Sequence, residues 1–158
     1  MRTETEMPAA TGSFTTAIGT ADRGARLSLL WVFAILNYLY CDVLGLMDPD
    51  ALREIVSKGE VGGIVISQGF LLSAGALMEI PIAMVLLSSV LPSRGSRWAN
   101  IVAGTVMTLV QIGSLFMGSE LTGYYAFFSA IEISCTAFIV WYAWRWHIPQ
   151  RKPQGITS

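Results

Sequence analysis

Four long apolar segments leave this chain few ways to fold: roughly Leu27 to Met47, Ile64 to Leu91, Trp98 to Gly118 and Leu121 to Trp144. Each reaches the length of about 20 residues that a helix needs to cross a hydrocarbon core roughly 30 Å thick. Only 13% of the 158 residues are charged and 53% are hydrophobic, whereas about a quarter of an ordinary soluble domain is charged. A mean hydropathy of +0.56 agrees. Because lipid offers no partner to a backbone N–H or C=O, the segments must be helical. The predicted fold is therefore all-α: an integral membrane protein built as an antiparallel four-helix bundle over residues 23–148. Residues 1–22 are rich in Thr, Ala, Gly and Glu and lack the apolar core of a secretory signal, so they read as a disordered cytoplasmic tail. Residues 149–158 read as a second cytoplasmic tail.

The placement of positive charge orients the bundle. Arg2, Arg23 and Arg26 precede the first span, Arg94 and Arg97 join the second to the third, and Arg145, Arg151 and Lys152 follow the fourth. Only Arg53 and Lys58 fall on the opposite side. The positive-inside rule then puts both termini in the cytoplasm, in a multipass protein of the cell membrane. Trp31, Trp98, Trp141, Trp144 and Trp146 gather toward the same side, as an aromatic belt would.

Several function classes are disfavoured. A net charge of -1 without a basic stripe argues against nucleic acid as a partner. Cys41 and Cys135 lack C-x-x-C spacing, and the single histidine, His147, lies beyond the last apolar run. No metal site and no cofactor is expected from that set.

Between the first two spans, Asp48 followed by Pro49 reads as an N-cap with proline at the first helical position, and Gly59 as the end of a short helix. Leu52, Ile55 and Val56 share one side of that segment, which suits a helix lying on the membrane surface. The connection around Ser119 and Glu120 is tight enough to make the third and fourth spans a hairpin.

Polar residues recur at helical spacing in every span. Asn37, Tyr38, Cys41, Asp42 and Gly45 share a face of the first; Gln68, Leu72, Gly75 and Glu79 one of the second. Asn100, Gly104, Thr108, Gln111 and Ser114 share a face of the third, and Tyr125, Phe128, Glu132, Cys135 and Thr136 one of the fourth. Such faces are expected to turn away from lipid and toward one another. Glu79 and Glu132 matter most, since each sits mid-run with no Lys or Arg nearby. An ionisable group at membrane depth costs roughly 2.5 to 3.5 kcal/mol and is normally retained for function. Glu79, Glu132 and Asp42 are thus the candidate catalytic acids, and burial favours their neutral form. Asn37, Tyr38, Gln68, Gln111, Tyr125 and Phe128 are the candidate binding residues around them. Pro81, two residues past Glu79, is expected to kink the helix beside the acid.

The strings at Leu46 to Pro49 (LMDP), Gln68 to Leu72 (QGFLL), Leu77 to Ser88 (LMEIPIAMVLLS), Arg97 to Ile101 (RWANI) and Phe138 to Trp144 (FIVWYAW) span most of the chain after the tail. In them the chain resembles an uncharacterised bacterial family of small four-helix membrane proteins, a domain of unknown function loosely like DoxX-type proteins. The resemblance implies a multipass fold and brings no catalytic residue with it.

The functional expectation is binding or acid-catalysed conversion of a lipophilic small molecule at a carboxylate-centred pocket. The alternatives are a small proton-coupled transporter, which four helices would serve only as a homo-oligomer, and a non-catalytic membrane partner subunit.

Overall fold

The computed structural model describes residues 10–61, 63–117 and 122–146. Five helices follow in order: α1 (Ala10–Met47), α2 (Pro49–Lys58), α3 (Gln68–Val90), α4 (Ser93–Met117) and α5 (Gly123–Trp144). A two-stranded antiparallel ribbon, β1 (Glu60–Val61) with β2 (Ile64–Val65), lies between α2 and α3. Four stretches are long and apolar enough to cross a membrane: Asp22–Met47, Gln68–Val90, Ser93–Phe116 and Gly123–Trp144.

The ends of the elements differ from the sequence expectation for local reasons. Residues 10–22 are helical rather than tail, because nothing between Pro8 and Pro49 breaks a helix and each glycine costs only about 1 kcal/mol. Ile64 and Val65 belong to β2 and not to the second apolar helix, since β-branched residues flank a two-glycine connection that favours a hairpin. Gly63 supplies the positive φ of 78° that this connection uses. Ser67 then starts α3, its hydroxyl accepting from the Phe70 N–H at 3.1 Å. Pro92 closes the turn after α3 and its carbonyl accepts from the Ser96 N–H at 2.9 Å, so α4 begins ahead of its apolar part. The connection at Ser119 and Glu120, His147 and the tail at 149–158 lie outside the described residues.

The short helix α2 forms as its sequence predicts. The Asp48 carboxylate accepts from the Asp50 N–H at 3.0 Å, and Gly59, at φ 68°, ends the helix with its N–H on the Ile55 carbonyl at 3.0 Å. No α2 side chain is buried, and Val56 is 79% exposed.

Packing joins the long helices in a ring: α1 against α3 and α5, and α4 against α5 and α3, which leaves α3 and α5 on a diagonal. Leu27, Trp31, Ala34 and Tyr38 of α1 form the core with Met84, Ala103, Met107, Cys135 and Ile139. Two glycines set the spacing. A Cβ on Gly24 would lie 2.7 Å from the Ser88 carbonyl oxygen, and one on Gly104 would lie 2.7 Å from Val140. Both contacts are too close for any larger residue without a shift of backbone or side chain.

At the end where α4 begins and α5 finishes, a buried polar knot ties three helices together. The Trp31 indole N–H donates to Asn100 Oδ1 at 2.8 Å and the Ser88 hydroxyl donates to the same oxygen at 3.1 Å. Asn100 in turn donates to the Ser96 carbonyl at 2.7 Å, and Ser96 donates to the Ser88 carbonyl at 2.9 Å. Outside the knot, the Arg23 and Arg145 guanidinium groups sit over the rings of Trp146 and Trp141 at 5.9 and 5.1 Å.

Candidate functional site

Glu132 is the interior carboxylate. It lies on α5 with 1% of its surface exposed, and its Oε1 is sealed away without a hydrogen-bond partner. Its backbone is firmly held. The Thr136 hydroxyl donates to the Glu132 carbonyl at 2.9 Å, and Thr108 of α4 donates to Thr136 at 2.8 Å.

On α1, within electrostatic reach of Glu132, Tyr38 is buried and likewise without a partner for its hydroxyl. Tyr38, Cys41, Asp42 and Gly45 recur three and four apart, so one side of α1 brings all four along the α5 seam. Cys41 on α1 and Cys135 on α5 are free and buried. Asp42 is exposed, yet within electrostatic reach of Glu132. Near the end of α1, Gly45 leaves room for the Tyr124 hydroxyl, 3.6 Å from where a Cβ would stand.

Buried polar atoms almost always find a partner, because an unpaired one costs about 1 to 3 kcal/mol. Here two such atoms share one seam between α1 and α5. A neutral carboxyl both donates and accepts, and a phenol does the same. Each keeps a hydrogen-bonding capacity that no group among the described residues takes up. On the outer side of the same seam, Leu30, Phe33, Phe127, Ile131, Cys135 and Phe138 line an open apolar groove of about 490 Å³. Cys135, one helical turn from Glu132, borders it.

The other candidate residues divide sharply. Gln111 is buried and donates to the Ser129 hydroxyl at 2.9 Å, while the Tyr125 hydroxyl donates to Ser114 at 2.7 Å. Both therefore bond α4 to α5. Asn37 is half-buried and donates to the Phe33 carbonyl of its own helix at 2.8 Å, and Phe128 meets Phe127 edge to face at 5.5 Å. Glu79 and Gln68 are exposed, and they are not brought to Glu132. The face of α3 that carries them points outward, contrary to the sequence expectation, because its packed side is Pro81, Met84 and Ser88. Two residues are about 200° around a helix, so buried Pro81 and exposed Glu79 look opposite ways.

Sequence reasoning underrated the Asn100 knot, whose signal was a single asparagine at the head of the third span's polar stripe. Ser88 and Ser96 carried no signal of their own. Among the described residues, no three His, Cys, Asp or Glu side chains gather as metal ligands.

The fold and site thus define an essentially all-helical protein, with four helices of membrane-crossing length and composition and with a buried carboxyl and a buried phenol that lack hydrogen-bond partners. The chain belongs to a family of unknown function, DUF6326, whose model matches residues 19–152. No curated protein and no solved structure is significantly similar to it. The family carries no assigned activity, so residue roles rest on the geometry alone.

Proposed function

We propose that the chain is a multipass protein of the cell membrane, an antiparallel bundle with both termini cytoplasmic, that binds a lipophilic small molecule through Glu132 and Tyr38. The membrane setting is supported by four apolar helices, by arginines concentrated at one end, and by indoles at that same end. Alternation of the spans puts the Asp42 and Tyr124 end of the α1–α5 seam on the outer side. The ligand's polar group meets the acid and the phenol, and its apolar body lies in the groove lined by Phe33, Phe127 and Phe138.

The observation that carries this reading is the pair of sealed, unpartnered polar atoms, Glu132 Oε1 and Tyr38 Oη. A carboxyl retained at that depth without a protein partner is better explained by a ligand or a transferred proton than by packing. If the bound molecule is converted, Glu132 is the proton donor and Asp42, nearer the surface, is the group that returns the proton. Proton-coupled transport would use the same two acids in the same order.

The test is thermal unfolding of the purified protein in detergent, with and without a lipid extract of its host, for wild type, E132Q and Y38F. The extract is expected to stabilise wild type, and each variant to remain folded while losing that shift. If E132Q unfolds at markedly lower temperature and the extract shifts nothing, Glu132 is a structural bond and the binding reading fails.

A further inference from the structure

A third sealed polar atom without a partner stands apart from Glu132 and Tyr38: Arg97 Nε, toward the arginine-bearing end of the molecule. Arg97 lies in the second turn of α4, and its Nη2 reaches the surface, where it donates to the Trp144 carbonyl at the end of α5 at 3.2 Å. Trp144 and Trp141 form the arginine-side end of a second groove, of about 320 Å³, that runs between α4 and α5 past Val140, Thr105, Thr108 and Leu109. The Arg145 guanidinium lies over the Trp141 ring at 5.1 Å, so a cation touches each of the two indoles. Beyond them the groove is apolar, because Thr105 and Thr108 turn their hydroxyls onto the carbonyls of Ile101 and Gly104, each at 2.7 Å. Leu109, deepest along α4, is about 18 Å of helix from Arg97, close to half of a hydrocarbon core roughly 30 Å thick.

We propose that this groove holds an anionic phospholipid of the cytoplasmic leaflet, with its phosphate beside Arg97 and one acyl chain laid along α4 and α5 toward Leu109. The inference rests on the membrane setting above and not on the Glu132 site. Charge selects the occupant. Among the described residues, Arg23, Arg26, Arg94, Arg97 and Arg145 gather at this end against a single acid, Asp22. The ion pairs among those residues, Arg53 with Asp50 and Lys58 with Glu54, belong to α2 at the opposite end, and no described carboxylate pairs with Arg97. A guanidinium carries five N–H donors in a planar fork that suits phosphate oxygens, and the Trp144 carbonyl occupies one of them. Basic pockets between spanning helices on the cytoplasmic side are where acidic head groups bind. A zwitterionic lipid would carry an ammonium into the same positive field, and a free anion would leave the apolar groove unused.

The experiment is native mass spectrometry of the full chain released from mixed micelles, titrated with phosphatidylglycerol or phosphatidylcholine of identical acyl chains, and with glycerol 3-phosphate as the head group alone. Wild type is expected to retain one phosphatidylglycerol, preferred about tenfold over phosphatidylcholine. R97Q should lower that preference to about twofold, and R97K, which keeps the charge without the fork, should fall between. A137W fills the groove from an exposed position of α5 and leaves Arg97 in place, so it should bind phosphatidylglycerol at least about fivefold more weakly at an unchanged unfolding temperature. That variant keeps the test decisive if R97Q does not fold. Equal retention of the two lipids by wild type overturns the proposal. So does an undiminished preference in folded R97Q, or undiminished binding in A137W. Glycerol 3-phosphate binding as tightly as the lipid also overturns it, since the site then takes a free anion. Alkaline extraction of the host membranes tests the setting separately. A chain that leaves the membrane fraction sinks the membrane reading itself, while one that stays there and binds both lipids alike sinks only the lipid site.

Discussion

Asn100 and Glu132 are equally sealed from solvent, yet their surroundings could hardly differ more. Around Asn100 every polar atom is answered: an indole, two serines and a backbone carbonyl close the set across α1, α3 and α4. Around Glu132 the backbone is bonded and the side chain is not. The first cluster holds helices together; the second is held by them. Saturated polar groups fix the register of packed helices, whereas an unsatisfied one on a braced backbone adds nothing to that register.

That contrast breaks most readily at the knot. Asn100→Leu strips Trp31 and Ser88 of their acceptor, and is expected to cost about 2 to 3 kcal/mol in equilibrium unfolding in mixed micelles. A loss under about 0.5 kcal/mol would mean that the knot contributes little and that the two clusters are alike. Gly24→Ala tests the neighbouring contact with the Ser88 carbonyl. Overpacking there should cost about 1 to 3 kcal/mol and loosen α1 from α3, read as faster amide exchange around Ser88. Glu132→Gln sharpens the comparison from the other side, since a change of about 1 kcal/mol or less, and of stabilising sign, is expected when an unanswered acid becomes an amide. Destabilisation on the Asn100 scale would remove the distinction. Tyr38→Phe is the smallest effect, within about 0.5 kcal/mol, because its hydroxyl has no bond to lose.

Much of the architecture was legible, and the reason is physical: length and hydropathy decide whether a segment can span a bilayer, and both are local properties. The α1 stripe from Tyr38 to Gly45 and the α5 stripe through Glu132 were also readable, since they do turn toward each other. The orientation of α3 was not. That helix is apolar nearly all the way round, so it has no greasy side to announce which way it faces. Its rotation is decided by contact: Gly24 on α1 admits the Ser88 backbone, and Glu79 on the far side then has nowhere to go but out. Assigning Glu79 to the interior followed from the assumption that the chain is its own complete environment.

Finally, the five indoles all belong to one end of the molecule, where Trp31 meets Asn100 and Trp141, Trp144 and Trp146 close α5 beside Arg23, Arg97 and Arg145. Intrinsic fluorescence of this protein is therefore a one-sided signal. If the chain spans a bilayer as proposed, water-soluble quenchers in sealed vesicles reach the exposed Trp98, Trp141 and Trp144 from the arginine-bearing face alone, so one spectrum with quencher outside and one with quencher inside reads out insertion direction without a label.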